Sequence, residues 1–257
     1  MAKIVSVHSF RGGTGKSNIV ANLAYIIATE GKRVGIVDTD IQSPGVHLLF
    51  GLDSETTEHS LNDYLYGRCS IEQTANDVTP TLNEETKGTD LQGTVFVCAS
   101  SLKAGEIARV LREGYEVERL NEGFNDLIER LHLDYLVIDT HPGLNEETLL
   151  SITISDVLLI ILRPDQQDYL GTAVTVEVAR RLRVPNLLIV VNKALSEWDP
   201  KALARRVEES YEVPVVGVLQ LSEDLVRLGS SGLFSLQYPG HPWSQELKRI
   251  AARVLQA

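Results

Sequence analysis

The chain has 257 residues, of which 43% are hydrophobic and 23% are charged, and its formal net charge is −11 at pH 7. These values are typical of a packed globular protein and exclude a disordered or fibrous chain. The negative charge opposes indiscriminate binding to nucleic acid or anionic lipid, although a local basic face can override it.

Two further features narrow the class of protein. Cys69 and Cys98 lie far apart in the sequence and match no paired metal-ligand spacing, so they indicate neither a disulfide framework nor a zinc or iron–sulfur site. The N-terminal segment has no signal-peptide pattern, and no apolar run approaches the roughly 20 residues of a membrane-spanning helix. We therefore expect a cytoplasmic protein without integral membrane association.

Short apolar segments that are apolar on both faces alternate with helical patterns. In one helix Phe124, Leu127, Ile128 and Leu131 form a single apolar stripe. This alternation predicts an α/β fold, a doubly wound and mostly parallel sheet with helices on both faces, in one domain over 1–257. The predicted strands are 3–9, 33–40, 94–100, 133–140, 156–162, 186–193 and 214–221, and further helices are predicted at 16–30, 103–113, 168–183, 199–210 and 243–256. The polar segment 76–93 is predicted to be a surface loop.

The motif RGGTGKS lies between the first predicted strand and the first predicted helix. Gly12, Gly13 and Gly15 allow backbone N–H groups to converge on phosphates, Lys16 supplies a positive charge, and the Ser17 hydroxyl can ligate Mg²⁺. A glycine-rich turn that binds nothing is the alternative. The coincidence of strand, Gly-Lys-Ser triplet and helix favours a phosphate loop.

Aspartates follow two other predicted strands. The segment VDTD places Asp38 and Asp40 at the end of one, where carboxylates can hold a metal-bound water and orient an attacking water. The segment VIDTHPG places Asp139 as a carboxylate that reaches Mg²⁺ through water. Taken alone, such aspartates are usually turn residues. His141 has no visible partner that would make it a base, and a loop histidine is the simpler interpretation.

The segment VVNK places Asn192 and Lys193 after a further strand, where a carboxamide can read the edge of a purine. The dipeptide is weak evidence by itself, and it does not separate adenine from guanine.

Together these motifs resemble the ParA/MinD family of P-loop ATPases, whose deviant Walker A motif reads K-G-G-x-G-K-[T/S]. The resemblance spans almost the whole chain and implies the P-loop NTPase fold, with ATP and Mg²⁺ as cofactors. It implies that Lys16 is the P-loop lysine and acts in catalysis with Asp40, which orients water. The implied metal site is Ser17, Asp38 and Asp139, and the implied nucleotide-binding residues are Gly12, Gly13, Thr14, Gly15, Lys16, Ser17, Asn18, Asn192 and Lys193.

Arg11 departs from the family pattern, because the family's signature residue at this position is a lysine that reaches the phosphates of the other subunit. Arginine keeps the charge but has a longer, planar head group. Arg11 can act in trans, clamp ATP without promoting hydrolysis, or face solvent; we favour the first and count Arg11 as catalytic. Phe10, in place of the usual first glycine, is no obstacle, because the deviant loop relies on the later glycines.

The resemblance implies a switch that dimerises around ATP, hydrolyses it slowly until an activating partner or adaptor protein binds, and positions or partitions a cargo. A nucleotide-sensing regulatory or scaffold protein that scarcely hydrolyses ATP is the alternative, since Arg11 leaves turnover open. Related metal-cluster carriers are a third possibility, but they need a closely spaced cysteine pair that Cys69 and Cys98 do not provide. A tyrosine-kinase relative is disfavoured, because it needs a cluster of tyrosines. Non-specific DNA binding, with nucleoid association, is an open possibility because residues 177–206 carry a local excess of basic over acidic side chains: Arg180, Arg181, Arg183, Lys193, Lys201, Arg205 and Arg206 against Glu177, Glu197 and Asp199.

Overall fold

The computed structural model describes residues 2–53, 57–86 and 90–257. Within these residues eight strands form one sheet in the order β3-β4-β2-β5-β1-β6-β7-β8. All neighbouring strands are parallel except β3, which lies antiparallel to β4 at one edge. The strands are β1 (Lys3–His8), β2 (Arg33–Asp38), β3 (Ala75–Asp77), β4 (Thr94–Cys98), β5 (Tyr135–Asp139), β6 (Val157–Leu162), β7 (Asn186–Ala194) and β8 (Val215–Gln220).

Helices connect the strands, and several begin at side chains that cap their free N–H groups, as Asp165, Asp199 and Ser222 do. Short 3₁₀ helices cover Val46–Phe50 and Ile71–Thr74. The α-helices are α1 (Lys16–Thr29), α2 (Leu61–Leu65), α3 (Thr79–Glu85), α4 (Ala104–Glu113), α5 (Val117–Arg130), α6 (Glu146–Ile154), α7 (Gln166–Arg181), α8 (Pro200–Tyr211), α9 (Glu223–Leu228), α10 (Phe234–Gln237) and α11 (Pro242–Gln256).

Buried side chains cover both faces of the sheet. Three apolar clusters join helices to the strands. The first contains residues of α1 and α11, the second contains residues of α7 and α8, and the third contains residues of α2 and α5. Strands β5 and β6 are buried along their whole length, as expected for central strands of a covered parallel sheet. The predicted α/β architecture, a doubly wound and mostly parallel sheet, is confirmed.

The segment 76–93 differs from its prediction as a loop. It contains the last two residues of the antiparallel edge strand β3 and continues into α3, which has a proline in its first turn and buries Leu82. Residues 87–89 of the predicted loop lie outside the described residues. The strand has only three residues, of which Asn76 and Asp77 are polar, so hydrophobic periodicity could not reveal it. Helix α6 was also missed, although Asn145 caps it by accepting a hydrogen bond from the Thr148 amide.

The sheet brings the predicted motifs to one edge, because the carboxyl ends of parallel strands meet there. In the pairing of β2 with β5, Asp38 lies opposite Asp139, and in the pairing of β1 with β5, Val7 lies opposite Asp139. The loops that follow β1, β2, β5 and β7 therefore surround a common centre.

Candidate nucleotide-binding site

The phosphate loop, residues 11–17, turns sharply from β1 into α1. Gly13 and Gly15 have φ angles of 75° and 87°, in the left-handed region that favours glycine. The first turn of α1 carries no acidic residue, so the positive end of the helix is left for an anion. The loop lines a cavity of about 430 Å³, here called the phosphate cavity, together with Ser9, Asn18, Asp40, Ser43, His141 and Pro142.

Asn192 and Lys193, which the sequence predicts to bind the nucleotide base, form hydrogen bonds with the backbone of the phosphate loop. The Asn192 side chain donates a 2.7 Å hydrogen bond to the Thr14 carbonyl, and Lys193 Nζ donates a 2.8 Å bond to the Gly13 carbonyl. A Cβ at Gly15 would lie 2.6 Å from Asn192 Nδ2, so only glycine fits there without displacement. These bonds fix the backbone of the loop.

Lys16 and Asp139 form a buried ion pair under the loop. The second oxygen of Asp139, Oδ2, is buried without a hydrogen-bond partner, and such an atom normally has a ligand or water. Asp38 lies opposite on β2 and is also fully buried, so two carboxylates share one lysine. A divalent cation held by Ser17 and, through water, by Asp139 fits this donor set, because Mg²⁺ prefers oxygen ligands and keeps several waters.

Asp38 organises the loop that follows β2. Its carboxylate accepts hydrogen bonds from three backbone N–H groups, those of Asp40 at 3.0 Å, Gly45 at 3.0 Å and Val46 at 3.3 Å. Burial, with the neighbouring charge of Asp139, raises the pKa of Asp38 to about 7. Both carboxylate oxygens of Asp38 accept hydrogen bonds from the protein's own backbone in this arrangement, so Asp38 fixes the shape of the loop after β2, beside Asp139.

Asp40 lies in the wall of the phosphate cavity and is only partly buried. Its Oδ1 accepts a 3.2 Å hydrogen bond from the Ser43 amide and lies 3.7 Å from His141 Nε2. Burial raises the pKa of Asp40. The partner that sequence did not reveal for His141 is thus Asp40, and the two face the cavity together.

The structure adds a buried histidine that sequence analysis passed over. His8 ends β1, and its Nδ1 lies 2.9 Å from the Thr140 hydroxyl, which itself donates to the Val7 carbonyl. Because that hydroxyl has one proton, it accepts from His8 Nδ1–H. Burial, with the nearby charge of Lys16, lowers the pKa of His8 to about 3, so the ring is neutral.

A second cavity, here called the base cavity, adjoins the first and has a volume of about 250 Å³. It shares Gly15 and Asn18 with the phosphate cavity, and Trp243 forms part of its wall. Two of its other wall residues, Asn192 and Lys193, lie in β7. The remaining residues lie at or after the carboxyl end of β8, a position from which the α/β ligand rule could have identified them. They are Gln220, Leu221, Ser222, Leu225, Val226, Gly229 and Ser230.

Arg11 lies exposed at the edge of the phosphate loop, away from the buried Lys16–Asp139 pair. Its Nη1 donates to Gln167 Oε1 at the start of α7. Phe10, the preceding residue, lies against the backbone of the same helix, since a Cβ at Gly171 would lie 2.2 Å from the Phe10 ring. Arg11 therefore faces the surface of its own subunit in this state.

The two cysteines lie in unlike environments. Cys98 is fully buried at the end of β4, and burial raises the pKa of its thiol to about 12; Cys69 is half-buried. In the part of the chain that the structure describes, no group of three or more His, Cys, Asp and Glu side chains is arranged to hold a metal ion. None of the helices among the described residues is long and apolar enough to cross a membrane.

A glycine-rich loop that joins the first strand of a parallel sheet to a helix, above a buried lysine–aspartate pair, defines the class of P-loop NTPases. A family model described as "ParA: NUBPL iron-transfer P-loop NTPase" matches residues 1–255. The chain therefore belongs to the ParA family of P-loop NTPases, which confirms the resemblance found in its sequence.

Three known proteins illustrate the likeness. An uncharacterized ATP-binding protein of Methanocaldococcus jannaschii is 28% identical over 258 residues, which are 100% of this chain and 89% of that protein. An iron-sulfur cluster carrier protein of Saccharolobus solfataricus is 25% identical, with 98% of this chain and 82% of that protein covered. The septum site-determining protein MinD of Pyrococcus horikoshii, solved with Mg-ADP, shares the fold at a TM-score of 0.79 and 20% identity, over 99% of this chain and 96% of that one.

Proposed function

We propose that this protein is an ATP-dependent dimerising switch, which binds and slowly hydrolyses Mg·ATP to position or partition a cellular cargo. The observation that carries the proposal is the buried Lys16–Asp139 pair with one unpartnered carboxylate oxygen, placed under a glycine loop. The chain's place in the ParA family supports the same reading. On the basis of the family resemblance, the proposal also includes a cargo, an activating partner or adaptor protein, and a cytoplasmic or nucleoid-associated location.

Each site residue has a physical task in this proposal. Bound Mg·ATP supplies an activated phosphoryl group whose charge the metal partly neutralises. The loop amides and Lys16 hold the phosphates, while Ser17 and Asp139 hold the ion. Asp40, at the cavity wall, orients the attacking water. The base cavity takes the purine, with Trp243 as one wall.

The surface beside Arg11 supports a dimer. Leu170 and Val174 of α7 are 67% and 46% exposed, and they share a helix face with Gln167, the partner of Arg11, because the three are spaced i, i+3 and i+7. An exposed apolar stripe bordering a ligand site is typical of a protein-binding surface. We propose that a second copy covers it and receives Arg11.

The test is Arg11→Ala, compared with Arg253→Ala, a change of an exposed arginine on α11. We expect Arg11→Ala to keep ATP binding by titration calorimetry but to lose dimers in the presence of a non-hydrolysable ATP analogue, together with phosphate release. Arg253→Ala keeps all three. Unchanged dimers and turnover in Arg11→Ala contradict the proposal.

The same measurements distinguish one other function, and the environments of the cysteines bear on a second. ATP-dependent dimers without turnover, in the presence of candidate partners, favour the nucleotide-sensing scaffold. An iron–sulfur carrier, as some relatives are named, needs cluster ligands, and the chain's two cysteines differ in exposure, with Cys98 buried and its pKa raised. The cysteines do not favour that role.

Non-specific DNA contact is proposed for a smaller surface than the sequence suggested. Arg180 donates to the carbonyl oxygens of Tyr211 and Glu212, Arg181 pairs with Glu177, and Arg206 donates to Tyr169. Two exposed cations, four residues apart on α8, carry the proposal instead: Lys201 and Arg205. We expect ATP-dependent retention of DNA that weakens steeply with salt and is lost in Lys201→Glu/Arg205→Glu; retention without ATP, or unaffected by salt, contradicts it.

A further inference from the structure

We infer that Gln167 is a positioning residue that holds Arg11 on its own subunit and so sets the cost of releasing it to a second copy. The inference rests on the proposed function, since release matters only if Arg11 acts across a dimer. It concerns a residue that the sequence motifs did not single out.

The contact is a hydrogen bond between side chains from two elements. Arg11 follows β1 and Gln167 lies in the first turn of α7, and the Arg11 guanidinium donates to the Gln167 side-chain oxygen. Both residues are exposed, so the bond can break without opening the core. An exposed hydrogen bond of this kind is of modest strength, which suits a contact that must open during a cycle.

Gln167 is held in place by its helix. Asp165 accepts hydrogen bonds from the backbone amides of Gln167 and Asp168, and Arg163 makes two side-chain hydrogen bonds to the Asp168 carboxylate. The first turn of α7 therefore presents the Gln167 amide from a fixed backbone. Little additional ordering is needed for it to hold Arg11.

The phosphate loop is fixed to the same helix one residue before Arg11. The Phe10 ring lies against α7 at Gly171, where a Cβ would approach it to 2.2 Å, and Ser9 donates a 2.9 Å hydrogen bond to the Arg11 carbonyl. The backbone of Arg11 is thus anchored while its side chain has one partner. Swinging the guanidinium from Gln167 towards another subunit requires side-chain rotation alone.

The competition is direct, because a guanidinium that donates to Gln167 through Nη1 has to give up that bond to clamp phosphate oxygens with its fork. A shorter side chain at position 167 lowers the free energy needed to release the Arg11 guanidinium, and a carboxylate at that position raises it. Gln167→Ala and Gln167→Glu therefore shift ATP-dependent dimerisation in opposite directions, by about threefold each for an exposed interaction of this size. Gln166→Ala is the matched control, because Gln166 is the adjacent, exposed glutamine of the same turn.

The experiment has two readouts. The first is nitrogen-15 relaxation of the Arg11 Nε–H group in the nucleotide-free protein, which we expect to be restrained in the wild type and in Gln166→Ala and mobile in Gln167→Ala. Equal mobility in the wild type and Gln167→Ala overturns the inference, whatever the protein does with ATP.

The second readout is the ATP-analogue-dependent dimerisation constant, with phosphate release, for Gln167→Ala, Gln167→Glu and the control Gln166→Ala. Opposite shifts in the two Gln167 variants, with none in Gln166→Ala, support the inference, because a general effect on the first turn of α7 changes Gln166→Ala as well. Shifts of the same sign in the two Gln167 variants, or an equal shift in Gln166→Ala, overturn it. The wild type could instead show a restrained Arg11 side chain but neither dimers nor phosphate release. That result overturns the proposed function and the link from Gln167 to dimerisation. It leaves the contact between Arg11 and Gln167 supported.

Discussion

Asn192 and Thr14 are joined by a 2.7 Å hydrogen bond from the side-chain amide of one to the carbonyl oxygen of the other, across 178 residues of sequence. The bond ties the end of β7 to the middle of the phosphate loop. Gly15 lies directly against the same amide, so the packing of the loop depends on the Asn192 side chain. The sequence motif by itself indicated only that this side chain could bind the nucleotide base.

This relationship predicts a large difference between two glycines of the loop. Gly13 and Gly15 both have positive φ, but a Cβ at Gly13 meets no atom within 4 Å, whereas one at Gly15 lies 2.6 Å from Asn192 Nδ2. We expect Gly13→Ala to lower the free energy of unfolding by about 1 kcal/mol through backbone strain, and Gly15→Ala to lower it by at least about 1 kcal/mol more. Urea unfolding without nucleotide measures both, and equal losses would count against the packing described.

The buried pair under the loop predicts a stability effect that is separate from catalysis. Lys16→Met leaves Asp139 buried without a countercharge, beside Asp38, and should lower the free energy of unfolding by about 3 kcal/mol. Lys16→Met/Asp139→Asn should recover part of that loss, because it removes the uncompensated charge. Urea unfolding of the two variants and of Lys248→Met, an exposed lysine on α11, is the measurement; a double variant less stable than the single one refutes the account.

The position of Asp40 predicts that its substitution changes the rate of ATP hydrolysis but not the affinity for ATP. Its carboxylate lies in the cavity wall near His141 and makes no ion pair with Lys16, so Asp40→Asn should leave ATP affinity within about twofold. If Asp40 orients the attacking water, phosphate release should fall by about 100-fold, at the lower end of what a positioned proton acceptor contributes. Calorimetry and a phosphate-release assay check the two values, and a parallel loss of affinity and turnover would assign Asp40 to binding.

Much of this architecture could be predicted because its signals are local. The covered parallel strands are continuous apolar runs, and the phosphate loop needs glycines, a lysine and a serine at fixed spacing, so β1, α1 and the loop between them were located from residues alone. The edge strand β3 could not be found, because it has only three residues, two of them polar, and they gain their structure from pairing with β4.

The rest of the site depends on contacts between distant segments. Trp243 of α11 forms part of the wall of the base cavity, and Arg11 contacts Gln167 across an interval of 156 residues. Neither contact joins residues at a short, fixed spacing in the sequence, so a sequence motif could not predict it. The hydrogen bonds of Asp38 to Gly45 and Val46 likewise depend on how the loop after β2 folds back, so the two aspartates of VDTD could be located but not given distinct tasks.

His8 predicts a dependence of stability on pH. Burial lowers its pKa to about 3, whereas a histidine in the unfolded chain has a pKa near 6.5. Between those values the unfolded chain binds a proton that the folded protein does not, so the free energy of unfolding falls as the pH falls below about 6.5. From pH 7 to pH 5 this one group should remove about 2 kcal/mol.

His8→Asn isolates that contribution, because the asparagine amide can donate to Thr140 as His8 Nδ1 does and does not titrate. The carboxylates that weaken the protein in acid are the same in both proteins, so they cancel in the comparison. Urea unfolding at pH 7 and pH 5 should show a loss smaller by about 2 kcal/mol in His8→Asn than in the wild type. Equal losses in the two proteins would mean that His8 takes up a proton in the folded state, and that burial near the charge of Lys16 does not keep the ring neutral.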